Sequence, residues 1–373
     1  MNILILSWRG PGHPNAGGAE ISTHEHARGW VKAGHNVTLF TSYFQGAKKE
    51  EVVDGVFILR KGNQFIEVQW EAFKWYLFGS HTKFDLVIDQ FHGIPFFTPL
   101  YVRKKKLAFI HEVTKEVWQS NPWPWPFCLG PKIFGPIIEP LIFKLVYRNV
   151  PFMTVSESTK NDLVNWGIPK QNVNVIYNGI NTPKGSYPRK QVIKTITFLG
   201  ALAKDKGIEE AINVFSILQK KYKKNFQYWI AGKADSRYLE ILKKKAKKLG
   251  LADAKFWGYV SEKKKFELLA KSHILINPSI REGWGLVVIE SARVGTPTVA
   301  FDVPGLRDSI KDGETGILSK ELSAENLAGK IIYLLDDEKK YNRMSNNAVN
   351  WSKNFSWDRA SKLSIDLVMK IIG

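Results

Sequence analysis

The sequence contains one cysteine, Cys128. That excludes an intrachain disulfide and any zinc or iron–sulfur centre built from several thiolates, and a reducing compartment is the simple expectation. Acidic residues are also few: 35 Asp and Glu stand against 54 Lys and Arg, a formal charge of +19. No stretch reaches the ~20 apolar residues of a spanning helix. The nearest, 127–147, is interrupted by Lys132, Glu139 and Lys144 and by Pro131, Pro136 and Pro140. The start, Met1-Asn2 and a short apolar run, lacks the basic leader and long apolar core of a signal peptide. The expected location is cytoplasmic, with peripheral attachment to the inner face of the cell membrane kept open. Histidines and carboxylates form no convincing metal-ligand grouping, since His24 and His26 lie two apart on a predicted helix and do not face each other.

What is present is enough apolar material for two cores. The chain has 373 residues, 44% of them hydrophobic, with 13 Trp and 22 Phe, which exceeds the usual size of one core and argues against bulk disorder. Short apolar runs at Asn2–Ser7, Val37–Phe40, Leu86–Ile88, Leu107–Ile110 and Phe152–Val155 alternate with helical patterns such as Gly18–Ala33. After a polar, Pro-containing stretch, Asn181–Lys194, the rhythm restarts. Strands are predicted at Ile196–Leu199, Tyr228–Ile230, Ile274–Ile276 and Thr298–Ala300, with helices at Ile208–Lys221, Tyr238–Leu249, Glu262–Lys271 and Leu286–Val294 and a helical tail from Ala324. Alternating strands and helices imply parallel β-α-β units, so the fold class is α/β with two Rossmann-like, doubly wound domains. The expected domains are residues 1–185, 186–355 and a terminal helix, 356–373, packing back toward the first domain. Ligands of such sheets bind at the carboxyl ends of the strands, beside helix N-termini.

Four segments at predicted strand ends carry chemistry. Pro278-Ser-Ile-Arg-Glu-Gly-Trp-Gly-Leu-Val-Val-Ile-Glu290 leads from a strand into a helix; its glycines suit close approach to a phosphate, and a carboxylate can accept hydrogen bonds from sugar or ribose hydroxyls. Glu282 and Glu290 would share a face if helix extended to both; helix capping by Glu282 and a solvated Glu290 are the structural alternatives. Gly200-Ala-Leu-Ala-Lys-Asp-Lys-Gly207 offers Lys206 as a cation at a helix start. Gly17-Gly18 opens the first helix, where backbone can approach phosphate. His111 follows the strand Leu107–Ile110 and so points toward the ligand edge. Trp118–Phe127, with its Trp-Pro alternation, reads either as an acceptor or membrane-contact surface or as a packed loop.

The 278–290 segment resembles the signature of family 4 glycosyltransferases of the GT-B fold, with two glutamates separated by seven residues. The resemblance continues through Gly295-Thr-Pro-Thr-Val-Ala300, Pro304-Gly305, Asp312-Gly-Glu-Thr-Gly316, Val155-Ser-Glu-Ser-Thr-Lys160 and Tyr177-Asn-Gly-Ile180. It implies two domains facing across a cleft, with Glu290 holding the ribose hydroxyls and Glu282 near the donor sugar. Backbone amides around Gly283, Trp284, Gly285 and Leu286 would line the same pocket. Lys206 would contact the donor diphosphate, Gly17 and Gly18 would form the first-domain glycine loop, and His111 would lie beside the transferred sugar. Where the family usually has Arg after the first glycine of the Lys206 segment, this chain has Ala201, and Lys204 or Arg281 are the available substitutes.

The expected activity is therefore transfer of a sugar from a nucleotide-diphosphate donor to a hydroxyl acceptor, in glycolipid, polysaccharide or other cell-surface glycan synthesis. The resemblance implies retention at the anomeric carbon and no required metal or other cofactor. The expected partners are the donor, a glycan or lipid-linked acceptor and an anionic membrane surface. A noncatalytic GT-B protein that binds a nucleotide sugar or acts as a scaffold at the membrane is the alternative from a different class. Nucleic-acid binding would rest on charge alone, because no nucleic-acid motif is present.

Overall fold

The computed structural model describes residues 1–120, 129–181, 185–222, 225–251 and 253–373. Trp123, Trp125, Cys128 and part of the stretch 181–194 lie outside the described residues. In chain order the first half comprises β1 (Asn2–Ser7), α1 (Gly18–Lys32), β2 (Asn36–Thr41), β3 (Glu50–Val53), β4 (Val56–Arg60), α2 (Glu67–Phe78), β5 (Leu86–Phe91) and α3 (Thr98–Tyr101). It continues with β6 (Lys105–Ile110), α4 (Leu129–Ile142), β7 (Phe152–Thr154), α5 (Glu157–Asn165) and β8 (Val173–Val175). The second half comprises β9 (Thr195–Leu199), α6 (Ile208–Lys221), β10 (Gln227–Ala231), α7 (Ser236–Lys248), β11 (Lys255–Gly258), α8 (Glu262–Lys271), β12 (Ile274–Asn277) and α9 (Leu286–Arg293). After these come β13 (Thr298–Phe301), α10 (Leu306–Ser309), β14 (Gly316–Ser319), α11 (Ala324–Leu335), α12 (Glu338–Ser352) and α13 (Trp357–Ile372).

These elements form two compact units. Unit 1 is Met1–Gly179 together with Ser356–Gly373, and unit 2 is Ile180–Phe355. Unit 1 has an eight-stranded sheet of order β3-β4-β2-β1-β5-β6-β7-β8, parallel except for the β3–β4 pair. Its strands β1 and β5 are almost wholly buried, as expected where helices cover both faces of a parallel sheet. The β3–β4 hairpin turns at Asp54 and Gly55, both with positive φ, and falls outside the sequence expectation because β3 is only half buried.

Helix α13 completes unit 1. It lies on α1, with Ser361 filling the space beside Gly29 and Ser364 Oγ accepting from Trp30 Nε1 at 2.9 Å. The stretch after β6 also contains more regular structure than the sequence indicated. Trp118 lies in a 3-10 turn, Lys115–Ser120, and residues 129–142 form α4 despite Pro136 and Pro140. Pro136 has no N–H for the carbonyl of Lys132, and the side-chain amide of Gln119 donates to that carbonyl instead, at 3.1 Å.

Unit 2 has a six-stranded, wholly parallel sheet of order β11-β10-β9-β12-β13-β14. The order reverses between β9 and β12, the position at whose carboxyl edge open parallel sheets bind their ligands. Its core includes Ile196, Phe198, Leu275 and Val299 of the strands, Ile212 and Phe215 of α6 and Val288 of α9.

Candidate functional site

In unit 2 three loops are stitched together at the reversal point. The amide of Ile280, after β12, donates to the carbonyl of Asp205, after β9, at 3.0 Å. The amide of Glu282 donates to the carbonyl of Pro304, after β13, at 3.2 Å. Two glycines make the fit possible: a Cβ on Gly207 would lie 2.0 Å from the carbonyl oxygen of Pro278, and one on Gly305 would lie 2.1 Å from that of Glu282. Both have positive φ, at 71° and 81°.

This arrangement brings Lys206 and Glu282 together from separate loops. Lys206 Nζ lies 3.1 Å from Glu282 Oε2 and 3.9 Å from Asp205 Oδ2, and Ser279 Oγ donates to Glu282 Oε1 at 2.8 Å. Glu282 does not cap α9. That position belongs to Gly285, in the left-handed conformation, so Gly283–Leu286 lead directly into the helix start. A helix start carries amides without intrahelical acceptors and a partial positive charge, which favours an anion. The Trp284 ring is buried, edge-on to Phe355 at 5.1 Å, so its aromatic surface is committed to packing.

Helix does not extend back to Glu282, and the two glutamates occupy separate ion pairs. Glu290 is buried in α9 and meets Lys265 Nζ at 2.6 Å; Lys265 also reaches Glu262 Oε2 at 2.8 Å. Burial pushes the Glu290 carboxyl above its ordinary range, against the attraction of Lys265. The solvated alternative for Glu290 is excluded. Lys265 joins the candidate site only in the folded structure, because nothing in the run Lys263–Lys265 distinguishes it in sequence from its lysine neighbours. Near Ala201, Lys204 is exposed whereas Arg281 is buried.

Unit 1 reverses strand order between β1 and β5. Ser7 Oγ donates to Gln90 Oε1 at 2.5 Å across that point. Gly17 precedes α1, but its amide already donates to Glu20 Oε2 at 2.6 Å, and Glu20 Oε1 meets Arg9 Nε at 2.9 Å. An anion approaching the Gly17 amide, beside Gly18 at the start of α1, would have to displace this carboxylate.

His111, directly after β6, is buried with neither ring nitrogen hydrogen-bonded, and its ring lies 4.3 Å from that of Phe109. His26 also packs on Phe109, edge-on with ring centres 5.7 Å apart, and its Nδ1 lies 2.9 Å from Ser364 Oγ. Burial lowers the pKa of both histidines, His111 to about 3, with His26 and His92 adding repulsion, and His26 to about 4.

Both imidazoles are thus neutral in the folded protein. Unfolded histidine takes up a proton near pH 6.5, so the unfolded state binds more protons between 6.5 and 4. Stability is therefore fully present above pH 6.5 and is expected to fall as pH drops toward 4, by about 1.4 kcal/mol per pH unit for each histidine. Thermal midpoints measured from pH 8 to 4 check this; a profile for His26→Phe as steep as that of wild type would contradict it.

Among the described residues no group of three or more His, Cys, Asp or Glu side chains is arranged to hold a metal ion, and no helix is long and apolar enough to cross a membrane.

Two tandem doubly wound units with a glycine-rich, cation-bearing loop at a strand-order reversal define the class of GT-B glycosyltransferases. The same architecture occurs in sucrose-phosphate synthase from Thermosynechococcus elongatus, with a TM-score of 0.80 at 18% identity over 99% of this chain and 98% of that one. It also occurs in HepE from Anabaena in complex with UDP and glucose, with a TM-score of 0.74 at 15% identity over 99% and 100% of the two chains. Residues 16–184 match glycosyltransferase family 4, and residues 184–351 match glycosyl transferases group 1. The chain belongs to this glycosyltransferase family.

Curated relatives include an uncharacterized glycosyltransferase of Methanocaldococcus jannaschii, 28% identical over 63% of this chain. A D-inositol 3-phosphate glycosyltransferase of Corynebacterium efficiens is 32% identical over 44% of this chain. The chain spans 65% and 40% of the lengths of these two relatives.

Proposed function

We propose that the protein transfers a sugar from a nucleoside-diphosphate donor to a hydroxyl acceptor with retention at the anomeric carbon, in the synthesis of a glycolipid, polysaccharide or other surface glycan. The observation that carries this reading is the Lys206–Glu282 pair at the strand-order reversal of unit 2, beside the start of α9. A protein of the same fold holds UDP and glucose, which supports a nucleotide sugar as the donor.

In this reading Glu290 accepts hydrogen bonds from the ribose hydroxyls, and the diphosphate takes its countercharge from Lys206 and the helix start, with no metal. Glu282 lies by the sugar, with Gly283, Trp284, Gly285 and Leu286 contributing backbone. The bond from the anomeric carbon to the diphosphate oxygen breaks as the acceptor oxygen bonds to the same face. The acceptor proton passes to the departing phosphate oxygen. Lys206 offsets the charge growing on that leaving group. Exposed Lys204 stands nearest in sequence to the cation lost at Ala201, and Gly17 and Gly18 contribute once Glu20 yields.

His111 is assigned to the sugar. A buried neutral imidazole without protein partners gains most from a hydroxyl that hydrogen-bonds to it. Release of nucleoside diphosphate from a panel of nucleotide sugars, with the anomeric configuration of the product read by NMR, tests the whole reading; failure to bind any nucleotide sugar would overturn it. His111→Ala is expected to lower transfer about 10- to 100-fold while leaving nucleoside-diphosphate affinity within about twofold, consistent with one lost hydrogen bond in the transition state. Loss of nucleotide affinity with unchanged turnover at saturation would contradict the assignment.

A further inference from the structure

A helix on a protein surface ordinarily buries its apolar stripe and shows polar residues to water. In α4 this pattern is inverted. Its buried side chain is a carboxylate, Glu139, which accepts from the amide of Thr114 at 2.8 Å and from Trp118 Nε1 at 2.8 Å. These bonds pin the helix in one rotation. Facing outward are Ile133, Phe134, Ile137, Ile138 and Leu141, with Leu145 one turn beyond; Ile137 is 59% exposed and Leu145 77%. On a helix of 100° per residue the first five fall within a single sector. A contiguous apolar patch of this kind marks an interaction surface.

The chain leaving this stripe becomes basic. Lys144 and Arg148 are exposed, and Asn149 lines a cavity of about 750 Å³ at the amino-terminal edge of the unit 1 sheet. That edge is opposite the one bearing His111. Arg103, Lys104, Lys105, Lys106 and Lys370 line the same cavity, against one carboxylate, Asp85. Lys106 is held by the carbonyls of Val102 and Lys104, at 2.7 and 2.9 Å, while Arg103, Lys104, Lys105 and Lys370 are exposed.

We propose that this face of unit 1 docks in the plane of an anionic bilayer, with α4 seating its stripe at the boundary between headgroups and acyl chains and the basic cavity receiving lipid phosphates. Charge complementarity selects this occupant. A second copy of the chain would bring another +19 charge and an identical basic cavity against the first, a juxtaposition that like charges oppose. A nucleic acid would satisfy the cations and leave six large apolar side chains in water. A lipid surface satisfies both, as interfacial helices and polybasic segments do.

The test is co-sedimentation of the full chain with vesicles of phosphatidylglycerol and phosphatidylcholine, or of phosphatidylcholine alone, at low and high salt. Partitioning is expected to be about tenfold or more stronger on the anionic vesicles and to weaken with salt. Two double variants at exposed positions separate the contributions. Lys104→Glu with Lys105→Glu should abolish the preference for anionic lipid, and Ile133→Asp with Ile137→Asp should lower binding about fivefold or more at an unchanged thermal midpoint. Leu145→Asp gives a second reading of the stripe should the isoleucine variant fail to fold. Equal partitioning to both vesicle types, or binding indifferent to the Ile and Leu variants, would overturn the proposal. So would a concentration-dependent dimer dissolved by those variants without vesicle binding. Vesicle binding requires no nucleotide, so this outcome and that of the sugar-transfer reading are independent.

Discussion

Lys206→Ala is expected to lower kcat for sugar transfer about 10²- to 10³-fold, the usual effect of removing one preorganised group that stabilises charge developing in a transition state. The ammonium is held by Glu282 at 3.1 Å and by the left-handed turn at Gly207, so little rearrangement is needed when the diphosphate departs. Donor affinity should change far less than kcat, because the charge on the leaving group grows as the bond breaks. Folding should be nearly unaffected. Glu282 keeps its bond from Ser279 and is part exposed, so the residual carboxylate retains a partner and water. Steady-state kinetics over donor concentration, with a thermal midpoint on the same sample, provide the measurement. Wild-type kcat in a folded Lys206→Ala protein would remove Lys206 from the chemistry.

The second large effect concerns Glu290. Glu290→Gln is expected to weaken nucleoside-diphosphate binding about 5- to 12-fold, since the amide keeps a neutral acceptor and loses only the charge, a difference of roughly 1–1.5 kcal/mol. Stability should fall as well, because the substitution leaves the mostly buried Lys265 with only Glu262 as an anionic partner among the ion pairs it makes here. The two consequences can be separated. Adding Lys265→Met to Glu290→Gln removes the stranded cation and should recover much of the lost stability without recovering nucleotide affinity. Calorimetric titration and thermal denaturation of the single and double variants read the two quantities independently. Normal nucleotide affinity in Glu290→Gln would show that the carboxylate serves only to hold Lys265.

How far the sequence revealed these features depended on what each element asks of its side chains. Strands of a parallel sheet covered on both faces need continuous apolar runs, and Leu86–Ile88 and Ile274–Ile276 were legible for that reason. The β3–β4 hairpin was not read, although Asp54-Gly55 is a strong hairpin dipeptide, because Glu50–Val53 alternates without burying a full face. Helix α4 was obscured by its prolines, whose freed carbonyl at Lys132 is satisfied by Gln119, far along the chain from any helical period. At the site, Lys206, Glu282 and Glu290 stood out through motif spacing. Lys265 did not, since only the packing of α8 against α9 distinguishes it from its lysine neighbours.

The assignment of α13 to unit 1 has a consequence for how the protein emerges from the ribosome. Unit 2 is one uninterrupted stretch, 180–355, and all of its strands are available before α13 has been made. Unit 1 lacks this piece until unit 2 has been made, because Ser361 and Ser364 supply the contacts that cover Gly29, Trp30 and His26. During elongation unit 1 is thus begun before unit 2 and completed after it, and the buried face of α1 must wait, wet and exposed to chaperones, for a helix made only once unit 2 is in place.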